Sequence, residues 1–388
     1  MADTADVIVI GAGVHGSSLA FHLASRGVSV IVVERASAAA GATGRSSGLV
    51  RVYYDLLAEA KLAWTAQAWF REWGERVGGD CGFTRTGFLW IEPAEHAERV
   101  RANSASHRAL GVDTTVVDAD EIRRLAPGID VGDEVAAWEP ESGYADPTMT
   151  ATSFLAAAKA RGARVVTGAE VTAIGTAGGR VTGVETTKGT FSAPVVVNAA
   201  GGWAGRVAAL VGLDVPIRVW RHDTGYIGVP TEVARPIPVV IDIANGMYFR
   251  PEGGDMVLVG LEDDHQMGGS PDRDTADAAP DFRDRAIERI VRRMPGLIDG
   301  TFRTSHSGQD GLTPDQRAIL GQAGPDGFYL DCGHSGTGFK TGPSIGLGMS
   351  ELILDGAATS VDISPFRFER FSDGALLTGE HGEQVHWR

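Results

Sequence analysis

The sequence predicts an α/β fold of the doubly wound kind, interrupted by a second domain of α+β character. Residues 6 to 36, DVIVIGAGVHGSSLAFHLASRGVSVIVVERA, read as strand, tight turn, helix, strand. Three times an apolar strand runs into glycines, at residues 7–13, 195–202 and 328–338. Residues 215 to 270, by contrast, are β-rich. A length of 388 residues fits two domains of about 100–200 residues each.

The elements follow in order. VIVI and VSVIVVE are continuous apolar strands, as a parallel sheet covered on both faces requires. Between them SSLAFHLASRG has helical spacing and ends on Gly27, a residue suited to the C′ position. A stretch of small residues, ASAAAGATGRSSGLVR, precedes an amphipathic helix over about residues 55–77 that carries Trp64, Trp69, Phe70 and Trp73. Residues 83–150 mix strand-like GFLWI with helix-like AEHAERVRANSASHRALG. Asp146-Pro147 predicts an N-cap and first-turn proline for a helix running to about Arg161. Short strands with glycine turns then lead to a buried strand, VVVNAAGG, and residues 281–294 form an arginine-rich helix. The acidic stretch 270–281, SPDRDTADAAPD, reads as a solvated loop. GFYLDCGHSG is a last strand entering the glycine-rich run GHSGTGFKTGPSIG, and a closing helix is expected from Ser344.

Composition narrows the function. With 43% hydrophobic and 22% charged residues the chain is of soluble globular type. A net charge of −15 argues against nucleic acid or an anionic membrane as partner. Two cysteines, Cys81 and Cys332, cannot form a disulfide framework or a closed zinc site, and no metal is expected. Cys332 reads as a small buried residue. The first strand starts by Asp6, which leaves no room for a signal peptide, and no apolar run reaches ~20 residues. A cytoplasmic location without membrane insertion is the expectation.

Gly11, Gly13 and Gly16 give G-x-G-x-x-G after a strand and at the opening of a helix. The first glycine permits the turn, the second lets backbone approach a pyrophosphate, and the third lets helix and strand pack closely. The helix N-terminus adds N–H donors and a positive dipole end. Glu34 closes the next strand, where a carboxylate can accept from ribose hydroxyls and would repel a 2′-phosphate. A dinucleotide without that phosphate, FAD or NAD, is the reading.

The opening motif, GATGRSSGLVR, VVVNAAGGWA, LTPD (312 to 315) and GHSGTGFKTGPSIG occur together in the order and spacing of D-amino-acid-oxidase-like flavoproteins. The chain most resembles the sarcosine oxidase and dimethylglycine dehydrogenase branch, over essentially its whole length. The resemblance implies FAD and a Rossmann-like FAD-binding domain of residues 1–80, 146–214 and 320–388. It implies a discontinuous α+β substrate domain, built on an antiparallel sheet, of residues 81–145 and 215–319. For the cofactor it implies Gly11, Gly13, Val14, His15, Gly16, Glu34 and Arg35, then Thr43, Arg45, Ser46, Ser47 and Val171. Further along it implies Ala200, Gly201, Trp203, Gly333, Gly336, Thr337, Gly338, Phe339 and Lys340.

For catalysis the resemblance implies that Arg51 and Lys340, one of only four lysines, grip a substrate carboxylate, and that Tyr248 lies over the substrate. Guanidinium supplies a planar two-donor fork and ammonium a compact charge. The chain also departs from the pattern. Leu258 stands where sarcosine oxidases that use dioxygen carry a lysine, and Glu262 where they carry a histidine. Gly308 and Arg45 stand where relatives tether FAD through cysteine or histidine, so non-covalent FAD is expected. A dehydrogenase acting on a secondary or tertiary amino acid is favoured over an oxidase, with an electron carrier or dioxygen as acceptor. A partner subunit or homo-oligomer is compatible with this reading. A D-amino-acid or glycine oxidoreductase, or a flavin-binding subunit or assembly factor with little turnover, remain alternatives. His222 and His334 are acid–base candidates whose roles stay open.

Overall fold

The computed structural model describes residues 3–262, 266–272 and 277–381, so the stretch 270–281 lies partly outside the described residues. Among these residues six strands form one sheet, ordered Arg164–Thr167, Val30–Glu34, Val7–Ile10, Val195–Asn198, Phe328–Cys332, Ile319–Gln322. All neighbouring pairs are parallel except the last, at the edge. The continuous apolar runs follow from two covered faces. Val7 and Val9 enter a core with Leu19, Phe154 and Met349 of three helices, Val14–Ser25, Pro147–Ala160 and Gly338–Asp355. Ile8 and Ile10 enter a second core on the other face, with Val181, Val184 and Phe191 of a smaller sheet. Asp146 caps the Pro147–Ala160 helix, its carboxylate accepting the Met149 N–H at 2.7 Å.

A nine-stranded sheet is drawn from residues 88–139 and 218–312. It is antiparallel except where Val239–Asp242 runs parallel to Phe88–Glu92. Two strands of the first sheet, Arg164–Thr167 and Val195–Asn198, lie between these two strands in sequence, so no hairpin dictates their sense. Arg293, from the arginine-rich Phe282–Arg293 helix, is buried beneath this sheet on Asp242 at 2.7 Å.

Two helices differ from expectation. The helix expected over 55–77 is two, Leu57–Arg71 and Trp73–Arg76, broken at Glu72 (φ −113°, ψ 27°). The break accompanies burial of Trp73, whose Nε1 donates to Ser153 Oγ at 2.9 Å. The closing helix starts at Gly338 rather than Ser344, with Pro343 inside it. Proline removes one helical hydrogen bond, but every residue from Gly338 to Gly346 is buried, against Val14, Ser18 and Leu62 among others. That packing outweighs the missing bond, and it puts Lys340 in a helical first turn instead of a loop.

The LTPD segment ties the end of the described chain to the fold. Arg370 donates to both oxygens of Asp315 at 2.7 and 3.0 Å, and Leu377 N–H donates at 3.2 Å. Burial alone would raise the Asp315 carboxyl, but the hydrogen bonds and charge of Arg370 hold it below its ordinary range. No helix among the described residues is long and apolar enough to cross a membrane.

Asp315→Ala should lower the unfolding free energy by about 3–5 kcal/mol, since it leaves Arg370 buried and unpaired; chemical denaturation measures this. A depressed carboxyl contributes stability above the ordinary carboxylate range and loses it as pH falls through the folded value. The variant should therefore lose less stability than the parent below about pH 5, and equal acid sensitivity would contradict the ion pair.

Candidate active site

Strands Val7–Ile10, Val195–Asn198 and Phe328–Cys332 are neighbours, so their three glycine turns meet along one edge of the sheet. They line a cleft of about 420 Å³. Of the residues expected at a cofactor, Gly11, Gly13, Val14, His15, Glu34, Arg35, Thr43 and Ser46 line it, as do Val171, Ala200, Gly201, Trp203, Gly336, Gly338 and Phe339. Gly16, Arg45, Ser47, Gly333, Thr337 and Lys340 do not. Gly16 serves packing instead: a Cβ there would lie 2.1 Å from Gly11 O. Gly11 itself has φ +108°, and a Cβ would meet Ala199 O at 2.4 Å.

The cleft fits a dinucleotide on observations of this chain. The helix begins at Val14, so its first-turn N–H groups have no intrahelical acceptor. Thr43 Oγ1 takes that of Val14 at 3.0 Å, and those of His15 and Gly16 follow on the same helix end. Glu34 accepts the N–H of Ala12 at 2.9 Å and of Ala36 at 2.7 Å. That fixes a carboxylate with spare lone pairs in the cleft wall. Farther out, Arg35, Trp203 and Arg206 converge on Asp272 at 2.8, 2.8 and 2.5 Å.

His334, left open by the sequence, belongs to a cluster. Its ring stacks on His15, centroids 3.4 Å apart and 8° from parallel. His334 Nε2 and His15 Nδ1 lie 3.1 and 3.2 Å from the same oxygen of fully buried Asp331. A carbonyl only accepts, so His15 Nε2 must donate to Gly338 O at 2.8 Å. The three side chains are spaced as metal ligands could be. However, imidazole binds a metal at about 2.0–2.1 Å along its in-plane lone pair. An ion midway between two parallel rings would lie far out of both planes, so the arrangement does not suit a metal. Burial alone would raise Asp331, but His15 and His334 hold it low.

Arg51 and Lys340 come together. Arg51 Cζ lies 4.2 Å from the centre of the Tyr54 ring, and Lys340 Nζ 5.5 Å from it. Phe88 and Trp90, at 5.7 and 5.4 Å, complete an aromatic wall around the guanidinium. Arg51 Nη1 donates to Tyr53 O. Its Nε and Nη2 are buried without a hydrogen-bond partner among the described residues. Burial and the charge of Arg51 push the Lys340 ammonium well below its ordinary pKa, against Glu59 and Asp310.

Sequence reasoning missed the groups that brace this segment. Glu139 accepts the Val52 N–H at 2.9 Å, and His107 Nε2 donates to Tyr54 O at 2.9 Å. Glu139 closes the apolar strand Val135–Glu139, the same signal that singled out Glu34. Phe88 and Trp90 alternate along one strand and so share a face. Asp310, also missed, accepts the Gly336 N–H at 2.6 Å and holds the last glycine turn.

Tyr248 is buried, which pushes its hydroxyl up to about 12. It shares a hydrogen bond of 2.7 Å with His222 Nε2. Leu258 belongs to the same apolar cluster as Tyr248, Tyr53, Phe88 and Trp90. Cys332 is fully buried. Gly308 lies against Arg45: a Cβ on the glycine would be 3.1 Å from the arginine Cβ.

Comparison with known proteins agrees with this geometry. Residues 6–352 match the model of the family described as FAD dependent oxidoreductase (DAO). Human mitochondrial sarcosine dehydrogenase is 29% identical over 383 residues, 95% of this chain and 41% of that protein. Sarcosine oxidase subunit beta from Arthrobacter sp is 26% identical over 399 residues, 97% of this chain and 93% of that one. The crystal structure of L-proline dehydrogenase from P. horikoshii matches with a TM-score of 0.89 at 25% identity, covering 96% of this chain and 99% of the other. This chain spans about two fifths of the length of the mitochondrial sarcosine dehydrogenases it matches. With the family match running over most of its length and the glycine turns meeting in one cleft, the chain belongs to the FAD-dependent oxidoreductases of the DAO family.

Proposed function

We propose that this chain oxidises the C–N bond of a small amino acid. The favoured substrates are secondary or tertiary amines such as sarcosine, dimethylglycine or an N-alkyl or cyclic imino acid. One observation carries the reading: two buried basic side chains face one tyrosine ring, and Arg51 keeps two buried N–H-bearing atoms unpartnered. Buried donors without acceptors are costly, and a carboxylate would satisfy them with charge-assisted bonds. Relatives named sarcosine dehydrogenase, dimethylglycine dehydrogenase and L-proline dehydrogenase support the substrate class.

In this reading the cleft residues from Gly11 to Phe339 would hold FAD, which when bound would supply the hydride acceptor for the carbon beside the substrate nitrogen. Arg51 and Lys340 fix the carboxylate and so the direction in which the amine points. Tyr54, Phe88 and Trp90 exclude water around that grip, which strengthens it. Tyr248, oriented by His222, forms a further wall over the substrate. The division into a FAD-binding domain and a discontinuous substrate domain belongs to the same proposal, supported by the separate sheets. Two relatives named as beta subunits support a partner subunit.

Under anaerobic conditions sarcosine, dimethylglycine or L-proline should bleach the flavin, and glycine and D-alanine should not. Bleaching by D-alanine or glycine alone would favour the runner-up activity, and bleaching by none would favour a flavin-binding subunit. Arg51→Met should weaken substrate binding about 10–100-fold, the loss expected for a charged hydrogen-bonding partner.

Acid precipitation should release the flavin into the supernatant, because neither Gly308 nor Arg45 offers a nucleophile; flavin in the pellet would contradict this. Leu258 places no cation for a developing superoxide, so the reduced enzyme should reoxidise slowly in air. Leu258→Lys should speed that step about tenfold or more, and rapid reoxidation of the parent enzyme would overturn the dehydrogenase assignment.

A further inference from the structure

Gripping a carboxylate does not by itself explain where Lys340 has been put. Its side chain is buried, at 4% exposure, in the first turn of the Gly338–Asp355 helix. The positive end of a helix dipole disfavours a cation there. Arg51 lies over the same Tyr54 ring. Among the described residues no hydrogen-bond acceptor reaches the Lys340 nitrogen.

The acids around it are committed elsewhere. Glu59 is bound by Arg317 at 3.0 Å, and Arg317 also holds Asp55 at 2.8 Å. Asp310 accepts the N–H of Gly336 at 2.6 Å and of Gly311 at 2.7 Å. Glu139 Oε2 is bonded to Val52 and Ser142 at 2.9 and 2.6 Å, while its Oε1 is buried without a hydrogen-bond partner among the described residues. Tyr54 is kept as the neutral phenol by burial. Glu59 and Asp310 still favour the ammonium, but burial and Arg51 outweigh them.

We propose that Lys340 is the base that takes the ammonium proton of the arriving amino acid. The inference rests on the carboxylate site proposed above. In free solution the substrate is a zwitterion, whereas only its neutral amine can be oxidised. The step balances: for a secondary amine, RNH2⁺–CHR′–COO⁻ and the Lys340 amine become RNH–CHR′–COO⁻ and the Lys340 ammonium. One N–H bond breaks on the substrate, one forms on the lysine, and the pocket gains no net charge.

The same transfer creates the cation that holds the carboxylate and the lone pair the oxidation needs. Ammonium and carboxylate of an α-amino acid flank a single carbon. A group touching one is within a hydrogen bond, or one bridging water, of the other. A permanently charged lysine would instead require the amine proton to leave a dry pocket for solvent.

Proton exchange on binding tests this, using the oxidised holoenzyme in weak buffer with a pH-indicating dye. Methoxyacetate, a carboxylate with no amine, should bind at pH near 7 with uptake of about one proton. Sarcosine should take up none in the binding phase before the flavin bleaches, because it brings its own. In Lys340→Arg, where the cation is permanent, uptake with methoxyacetate should vanish. Lys340→Met should abolish it too, if arginine is not accommodated.

Methoxyacetate bound without uptake, uptake that survives both variants, or equal uptake with sarcosine would overturn the inference while leaving the carboxylate site standing. If methoxyacetate perturbs neither the flavin spectrum nor the dye at any concentration, the carboxylate site itself falls, and the inference with it.

Discussion

Two buried basic side chains, Arg51 and Lys340, face one aromatic ring with no carboxylate bonded to either among the described residues. Moving a single ion into a protein interior costs several kcal/mol even after relaxation, and a second like charge adds repulsion. A chain can maintain such a site only if other interactions position it firmly. The site is tolerable because the guanidinium is partly met by softer groups and the lysine need not be charged while the pocket is empty. The Tyr54 ring faces both side chains and the Tyr53 carbonyl accepts from Arg51. What remains unmet is the demand for an anion, and that demand gives the pocket its selectivity.

The fold supplies firmness from two directions. Arg51 follows the short strand Leu49–Val50, which pairs with Gly143–Tyr144. The residues after it are pinned by Glu139 and His107, which come from separate elements. Lys340 is placed by the start of the closing helix. That start is bonded to the dinucleotide helix through His15 and Gly338 O, while Asp331 anchors both stacked histidines to the end of a central strand. The group that would grip the substrate is therefore fixed two residues from a bond that also fixes the cofactor helix. Substrate and cofactor geometry share one rigid corner.

That corner shows which features were legible in the sequence. The parallel strands were, because each face of the sheet is buried and so each strand is continuously apolar. The glycine turns were, because close backbone approach leaves no alternative residue: a Cβ at Gly11 would collide with backbone rather than with a movable side chain. The start of the closing helix was not, because Pro343 signals a break and only long-range packing against Val14 and Ser18 overrides it. His15, Asp331 and His334 lie far apart in sequence or on different turns, and nothing local says that one carboxylate serves both rings. The bracing roles of Glu139 and His107 were illegible for the same reason, although the place of Glu139 at a strand end was a signal. Their partners are backbone groups near residue 51, and a residue's value as a brace depends on what the fold brings to it.

Positions 45 and 308 sharpen the cofactor reading. The resemblance places relatives' covalent tethers at these two positions, which are more than half the chain apart. Here they touch, with an ideal Cβ on Gly308 only 3.1 Å from that of Arg45. A guanidinium stays protonated in a protein and cannot attack as a nucleophile, and a glycine has nothing to attack with. Nor is the contact neutral toward a larger residue at 308, which would have to displace the arginine stem. The local packing and the chemistry fit the proposal of a cofactor held without a covalent bond, by glycine turns, helix-end donors and the Glu34 carboxylate.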